Sequence, residues 1–223
     1  MLFVFSSCKK EDEVVNLIGE SPVISETEGG VTKASANWSI GMYQAQTAYK
    51  NAYYHVKQKT GECSWTNYVI AAAAVIRGKG NTVYPYGAGS YENKVQHCKN
   101  WTNSNTAITS IESYCKQVDI VAGYPINCTR KAVSLKTDAA DEMLSHISSK
   151  GTPFLYVGGV GGIGHYFTVW SIYWGGDIYN SDVYYTNTLD APASTFAGQV
   201  KSQNLNTFLS SNVNNYHNLL FLY

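Results

Sequence analysis

Charged side chains are scarce in this chain. They make up 14% of its 223 residues, and 16 basic residues balance 16 acidic ones. A protein that binds nucleic acid over a broad surface needs an excess of positive charge, so the sequence predicts no nucleic-acid partner. No apolar run reaches the roughly 18 to 20 residues that a membrane-spanning helix requires. The length fits one globular domain with a sizeable core.

Motifs for metal binding are also lacking. Apart from Cys8, the cysteines are Cys63, Cys98, Cys115 and Cys128, and no two of them form a C-x-x-C pair. We therefore expect no metal and no cofactor. In an extracytoplasmic protein these four cysteines would form two disulfides, in one of three connectivities, or one disulfide with Cys63 left free. We expect structural roles for the last three.

The first residues indicate export. "MLFVFSSCKKEDE" places a short apolar run and two serines before Cys8, and a charged segment after it. This order resembles the end of a bacterial lipoprotein signal peptide, with Cys8 as the lipid-bearing residue, and the charged segment resembles the surface-export tag of Bacteroidetes lipoproteins. The resemblance implies a lipid anchor at the outer membrane or cell surface. An arbitrary, unstructured start is the alternative.

The composition divides the chain into three parts. Residues 1–8 are interpreted as a truncated signal segment, because the apolar run is too short for a complete one. Residues 9–35 are polar, contain Gly and Ser and show little periodicity, which predicts a flexible linker. Residues 36–223 then form the folded domain.

Helical patterns come first in this domain and strand patterns second. Apolar periodicity, alanine content and terminal glycines predict helices at 42–59, 64–77, 106–118 and 137–149. The last of these would be capped by Thr137 or Asp138. The turn-rich residues from Gly78 to about 93 predict a surface loop. Aromatic and β-branched stretches predict strands at 152–159, 165–174, 178–189 and 218–223. The order predicts an α+β fold with an antiparallel sheet.

A thiol precedes the most apolar of these helices. "GECSWTNYVIAAAAVIRG" places Cys63 at the start of a helix that is apolar on nearly every face. There the positive end of the helix dipole and the unsatisfied amide hydrogens favour the thiolate, which is the nucleophilic form. The alternative is a small buried core residue, because free cysteine is among the most buried residue types.

His165 is the candidate partner of this thiol. It follows five glycines in "GGVGGIGHYFTVW" and begins a predicted strand. A hairpin centred on Gly176 would place His165 directly opposite Asn187, with Cβ atoms about 5 Å apart. A slip of one residue would oppose Thr186 instead. The other candidates to orient the histidine are Asp190 and, if a bulge intervenes, Asn180 or Asp182.

These features together resemble the papain-like cysteine peptidases. A helix-heading cysteine with a nearby tryptophan, a Gly-His that opens a strand and an amide on the next strand follow that family's order, as does "LSHISSKGTPFLYVGGVGGIGHYFTVW". The resemblance implies N-terminal helices packed on a C-terminal antiparallel sheet. It makes Cys63 the nucleophile, His165 the general base and acid, and Asn187 its orienting residue. Gln58 would stabilise the oxyanion together with the Cys63 backbone amide, with Gln46 or another amide as the alternative.

Trp65 departs from this pattern, because papain has its aromatic residue directly after the cysteine. The order Cys-Ser-Trp is instead similar to the CHAP amidases, which cut peptidoglycan peptides. The long separation between thiol and histidine, and the lack of a clearly placed acidic residue after His165, depart from that family in turn.

The sequence therefore predicts a monomeric cysteine peptidase that hydrolyses a peptide or protein substrate through an acyl-enzyme intermediate. The alternatives are a CHAP-type amidase acting on peptidoglycan peptides and a surface binding protein that keeps the fold without the activity.

Overall fold

The computed structural model describes residues 57–59, 61–79, 91–160, 163–190, 200–212 and 216–223. Cys8, Gln46, the predicted linker and most of the predicted helix 42–59 lie outside these ranges. The last three residues of that helix, 57–59, are not helical. The helices are α1 (Cys63–Gly78), α2 (Tyr91–Trp101), α3 (Ile108–Tyr114), α4 (Lys136–Lys150) and α5 (Leu205–Ser210), with a π-helical turn at Cys115–Asp119. The strands are β1 (Cys128–Val133), β2 (Phe154–Val160), β3 (Ile163–Tyr173), β4 (Asp182–Thr186), β5 (Lys201–Asn204) and β6 (His217–Leu222).

Helix α1 is the central helix that its alanines and apolar residues predict. Every side chain from Cys63 to Ile76 is buried, and the helix ends at Gly78, as expected. Before it, the chain turns at Gly61 with φ of +77°, a left-handed conformation that glycine adopts without strain. The Glu62 carbonyl then accepts the first helical hydrogen bond, from Thr66 N–H. This turn fixes the point at which α1 begins.

The other helices correct several sequence predictions. Helix α2 lies partly in the predicted loop and buries Lys94, Val95 and Cys98, so tertiary packing overrides the weak apolar pattern. The predicted helix 106–118 is split into α3 and the π-helical turn. Helix α4 matches its predicted range, but the N-cap is Leu135, without a side-chain capping bond. Thr137 and Asp138 were wrong as caps because the helix begins before them.

The strands form one antiparallel sheet in the order β1-β6-β2-β3-β4-β5. An α+β fold with an antiparallel sheet is therefore confirmed. The order of helices first and strands second is only approximate, because β1 precedes α4. Strands β1 and β5 were not predicted. They are the two edge strands, and their sequences, CTRKAV and KSQN, are short and polar.

Two apolar cores cover the two faces of the sheet. Helices α1 to α3 pack on one face, where Leu155 and Leu220 point, and α4 and α5 pack on the other, where Phe154 and Phe221 point. Neighbouring residues of β2 and β6 alternate between the faces, as side chains in strands must. None of the helices in the described ranges has the length and apolar character to cross a membrane. The arrangement brings the start of α1 against β3.

Candidate active site

The thiol that heads α1 meets a histidine of β3. Cys63 Sγ lies 2.9 Å from His165 Nδ1 and 3.9 Å from His165 Nε2. Both residues are buried, at 2% exposed. Cys63 is the first residue of a 16-residue helix that has no acidic side chain in its first turn. The helix dipole therefore favours negative charge on the sulfur.

An amide oxygen holds the other nitrogen of the ring. Asn187 Oδ1 lies 2.8 Å from His165 Nε2 and accepts the Leu189 backbone N–H at 3.0 Å. Because a backbone N–H needs an acceptor, the Asn187 atom that faces both groups is the oxygen. His165 Nε2 therefore carries a hydrogen, and Nδ1 is the ring atom that faces Cys63 Sγ.

The strand register differs from the predicted one. Thr168 is paired with Thr186, so the pairing extends to Phe167, not His165, opposite Asn187. A bulge between Val169 and Ser171 shifts the register within the hairpin. Direct opposition was therefore wrong, but the offset of two residues keeps Asn187 on the His165 side of the sheet, within reach along the diagonal.

The start of α1 packs beside the part of β3 that β4 does not pair with. Pairing with β4 ends at Thr168, so the backbone of Tyr166 faces α1 instead. Tyr166 N–H donates to Cys63 Sγ at 3.2 Å, and Tyr166 C=O accepts from Asn67 Nδ2 at 2.9 Å. These bonds satisfy the backbone N–H and C=O of Tyr166, which no strand pairs with on that side. They also hold the sulfur beside the residue that follows His165.

Asn67 is a site residue that the sequence reasoning missed. It lies one turn after Cys63 on the same helix face, is fully buried, and donates to the Cys63 carbonyl at 2.8 Å. Its Nδ2 also lies 3.0 Å from Thr188 Oγ1, and its Oδ1 accepts the Thr168 hydroxyl at 3.0 Å. The available signal was an asparagine four residues after the thiol in an otherwise apolar helix.

Gln58 lies beside the strand end that carries Asn187. Its backbone N–H donates to the Thr188 carbonyl at 3.0 Å, and its Oε1 accepts the Thr188 hydroxyl at 2.6 Å. The four predicted site residues are thus held by one set of contacts: Cys63 touches His165, His165 touches Asn187, and Gln58 is bonded to the residue after Asn187.

The other candidates to orient the histidine are engaged elsewhere. Asp190 forms an ion pair with Lys201 at 2.9 Å. The Asn180 amide donates to Asp177 at 3.0 and 3.1 Å, within the loop that follows β3. Asp182 belongs to the far end of the hairpin, paired with Tyr173.

Trp65, whose position distinguishes the two families, is a core residue. It is fully buried and packs edge-on against Tyr68 and Tyr114, with ring centroids 6.4 and 5.8 Å apart.

The remaining thiols in the described ranges are free and buried. Neither predicted disulfide arrangement is therefore present there. Burial raises the pKa of Cys98 to about 12. The pKa of Cys115 is raised chiefly by a hydrogen bond with Cys128 and, as the second cause, by burial. In the same ranges, no three His, Cys, Asp or Glu side chains come together as a metal site would require.

Comparison with known proteins identifies a structural likeness. The structure matches the crystal structure of UfSP from C. elegans, a papain-like cysteine protease, with a TM-score of 0.52 and 11% sequence identity. The match covers 76% of this chain but 32% of the UfSP chain, so this protein spans about a third of that neighbour. No family model matches the sequence, and no curated protein matches it.

At this identity the likeness concerns the fold. Together with the N-terminal helices and the antiparallel sheet, it confirms the predicted architecture. The Cys-His-Asn arrangement within such a fold supports a hydrolase. The chain thus has a papain-like α+β fold of the kind found in cysteine proteases.

Proposed function

We propose that this protein is a cysteine peptidase that hydrolyses peptide bonds through an acyl-enzyme intermediate. The contact of 2.9 Å between Cys63 Sγ and His165 Nδ1 is the observation that carries the proposal, because it is the reach that proton transfer between nucleophile and base requires. Asn187 on the far ring nitrogen supplies the third group, which orients the imidazole.

The reaction would follow from these contacts. With its proton on His165 Nδ1, the Cys63 sulfur attacks the peptide carbonyl carbon and forms a tetrahedral oxyanion. His165 Nδ1 then gives its proton to the amine as the C–N bond breaks, leaving a thioester on Cys63. Water attacks the thioester carbon while Nδ1 accepts its proton. Breakage of the C–S bond releases the carboxylic acid and regenerates the thiolate–imidazolium pair.

The oxyanion would form at the start of α1. The backbone amide of Cys63 belongs to the first turn of the helix, where amide hydrogens point out of the N-terminus. Gln58, held beside Thr188, is the proposed side-chain donor. Donors that act on the developing charge are worth about 10²- to 10³-fold in kcat each.

Two observations favour a peptidase of papain type over a CHAP amidase. An amide oxygen, that of Asn187, faces His165 Nε2. Asp190, the acidic alternative, is paired with Lys201. We therefore propose a peptide or protein substrate, with peptidoglycan peptides as the alternative that the experiment includes.

The test is hydrolysis by paired variants. The purified protein, Cys63→Ala and the matched Cys98→Ala variant are incubated with a fluorogenic peptide library, casein and muropeptides. We expect cleavage by the first and last proteins and none by Cys63→Ala. Cleavage of muropeptides alone would support the amidase. Hydrolysis retained in Cys63→Ala would overturn both enzymatic functions, and its absence from all three proteins would support a binding protein.

We also propose surface display through a lipid on Cys8, supported by the apolar, serine and charged order around that residue. The chain is expressed behind a complete lipoprotein leader, with Cys8→Ser as the variant and labelled palmitate as the probe. Label and membrane association should be present in the parent and lost in the variant. A variant that stays equally membrane-bound would contradict the anchor.

A further inference from the structure

We propose that Asn67 is a positioning residue of this site, and that Thr188 relays its hydrogen bond to Gln58. The inference rests on the proposed function and deepens it. A buried series of bonds, Asn67 to Thr188 to Gln58, would set both the position of the sulfur and the orientation of the amide that faces the oxyanion.

The orientation of the Asn67 amide is determined by its neighbours. Its Nδ2 lies 2.8 Å from the carbonyl oxygen of Cys63 and 2.9 Å from that of Tyr166. Carbonyl oxygens only accept, so the atom that faces them is the nitrogen. The opposite end, Oδ1, accepts the Thr168 hydroxyl at 3.0 Å. A flipped amide would place oxygen against two carbonyls, which this fully buried site cannot compensate with water.

This orientation directs the next bond. The same Nδ2 also lies 3.0 Å from Thr188 Oγ1. Because Nδ2 has two hydrogens and three acceptors, one hydrogen is shared in a bifurcated bond, in which Thr188 Oγ1 accepts. The Thr188 hydroxyl keeps one hydrogen, and it donates that hydrogen to Gln58 Oε1 at 2.6 Å. Gln58 thus presents its oxygen to Thr188, so its Nε2 end faces away from Thr188. An oxyanion needs that donor end.

The series connects four separate parts of the chain. Asn67 belongs to α1, Tyr166 to β3 beside His165, Thr188 to the segment after β4 beside Asn187, and Gln58 to the segment before α1. Cys63 is therefore bonded to Asn67, and Gln58 is bonded to Thr188. His165 and Asn187 are the chain neighbours of Tyr166 and Thr188, which are bonded to Asn67. A shift of α1 against β3 breaks bonds at a buried residue, which opposes the shift.

The positioning role of Asn67 is tested by the reactivity of the Cys63 thiol, a measurement that needs no substrate. Iodoacetamide labelling is followed by peptide mass spectrometry at pH 5.5 and pH 8.5. The measured quantity is the labelling rate at pH 5.5 divided by the rate at pH 8.5. A thiolate–imidazolium pair keeps this ratio high, because the sulfur stays reactive in acid. Taking a ratio also reduces the influence of how accessible the sulfur is. Asn67→Asp keeps the shape but replaces the donors by an acceptor, and we expect the ratio to fall at least about tenfold.

Two further threonine variants separate positioning from folding. Thr168→Val removes the hydroxyl that lies 3.0 Å from Asn67 Oδ1 and 3.2 Å from the Asn67 carbonyl oxygen, and we expect a smaller fall in the same ratio. Thr186→Val is the matched control: it removes a buried hydroxyl that contacts Trp170 Nε1 at 3.2 Å, and it should leave the ratio unchanged. If Asn67→Asp does not fold, Thr168→Val decides the test. An unchanged ratio in the folded Asn67 and Thr168 variants would overturn the positioning role.

The relay is tested by a double-mutant cycle on kcat. We expect Thr188→Val to lower kcat about tenfold with little change in KM. Because Thr188 acts through Gln58, Thr188→Val combined with Gln58→Ala should be no slower than Gln58→Ala alone, within about twofold. Additive losses would overturn the relay.

Failure of the proposed function is distinguishable from failure of this inference. If the parent protein cleaves no peptide, the labelling ratios still decide the role of Asn67. The Gln58 side-chain amide is then followed by NMR. Faster hydrogen exchange at that amide in Thr188→Val supports the relay, and unchanged exchange overturns it.

Discussion

His165 Nε2 and Asn187 Oδ1 lie 2.8 Å apart although the strand register does not oppose the two residues. The pairing of Thr168 with Thr186 leads to Phe167 as the residue opposite Asn187. The contact is therefore diagonal, and it depends on the bulge between Val169 and Ser171. Without that bulge the register on the hairpin side would align Asn187 with Thr168, whose side chain points to the other face.

This contact predicts a difference between two neighbouring polar residues. Asn187→Ala removes the acceptor that orients His165, and we expect kcat to fall about 10- to 100-fold with little change in KM. Asp190→Ala, the matched control, breaks an exposed ion pair with Lys201 and should change kcat less than about twofold. Steady-state kinetics on one peptide substrate compare the two. A larger loss in Asp190→Ala would assign the orienting role to the carboxylate.

A buried ion pair lies behind α1, and removal of one partner should strongly destabilise the protein. Lys94 Nζ lies 2.5 Å from Asp119 Oδ1, with both side chains at most 1% exposed, and the Tyr68 hydroxyl donates to Asp119 at 2.5 Å. Lys94→Met leaves an uncompensated buried carboxylate and should reduce the free energy of unfolding by about 3 to 5 kcal/mol.

A second substitution provides the control for this pair. Lys94→Met combined with Asp119→Leu removes both charges and should recover part of the loss, because apolar replacements of a buried ion pair are often neutral. Denaturant unfolding measures all three proteins. A double variant less stable than Lys94→Met would mean that Asp119 stabilises the fold through other partners, of which Tyr68 is one.

His146 predicts a loss of stability in mild acid. Burial lowers its pKa to about 4. The ring stacks on Phe221 at 4.5 Å, and Nε2 lies 3.1 Å from the Thr152 carbonyl. The unfolded chain binds a proton at this residue below about pH 6.5, while the folded protein binds it only near pH 4. Acidification between these values therefore favours the unfolded chain, by about 3 kcal/mol in all.

The measurement compares unfolding free energies at several pH values in the parent and in His146→Phe. The variant should lack this part of the decline between pH 6.5 and pH 4, so the two curves should converge or cross in acid. Parallel curves would contradict a buried neutral His146.

Gly158 predicts a packing constraint on His165. It is paired with His165 across β2 and β3, and a Cβ atom there would lie 3.0 Å from atoms of Phe167, Ser211 and Tyr156. The Phe167 ring in turn packs edge-on against His165, with centroids 4.9 Å apart. Gly158→Ala should cost about 1 to 3 kcal/mol of stability by overpacking. A melting temperature equal to that of the parent protein would contradict this, because it would mean that the neighbouring side chains move aside without cost.

The features predicted correctly are those with a strong local signal. Helix α1 has alanines, apolar residues on nearly every face and a glycine at each end, so its bounds differ from the prediction by one residue at either end. Helix α2 has a weak apolar pattern, and it packs through Lys94 against Asp119, a partner distant in sequence. Strands β1 and β5 are polar edge strands, for which apolar alternation gives no signal.

Some of the candidate site residues have local signals in the sequence, but the geometry that brings them together does not. Cys63 and His165 carry local signals, a helix start and a glycine-rich lead to a strand. Asn67 and Thr188 carry no local signal of comparable strength, because their roles arise from contacts with distant residues. Asn67 reaches Tyr166 and Thr188 only after α1 has packed on β3.

The sequence by itself determined the α+β fold class, the buried helix and the position of a thiol at its start, because propensity and periodicity act over a few neighbouring residues. The tertiary structure decided that Asn187 reaches His165. A single bulge sets the face on which Asn187 lies, and whether the strand bulges depends on how the whole sheet packs. The tertiary structure also decided that Asn67 closes the open edge at Tyr166, because β4 ends before it reaches that residue.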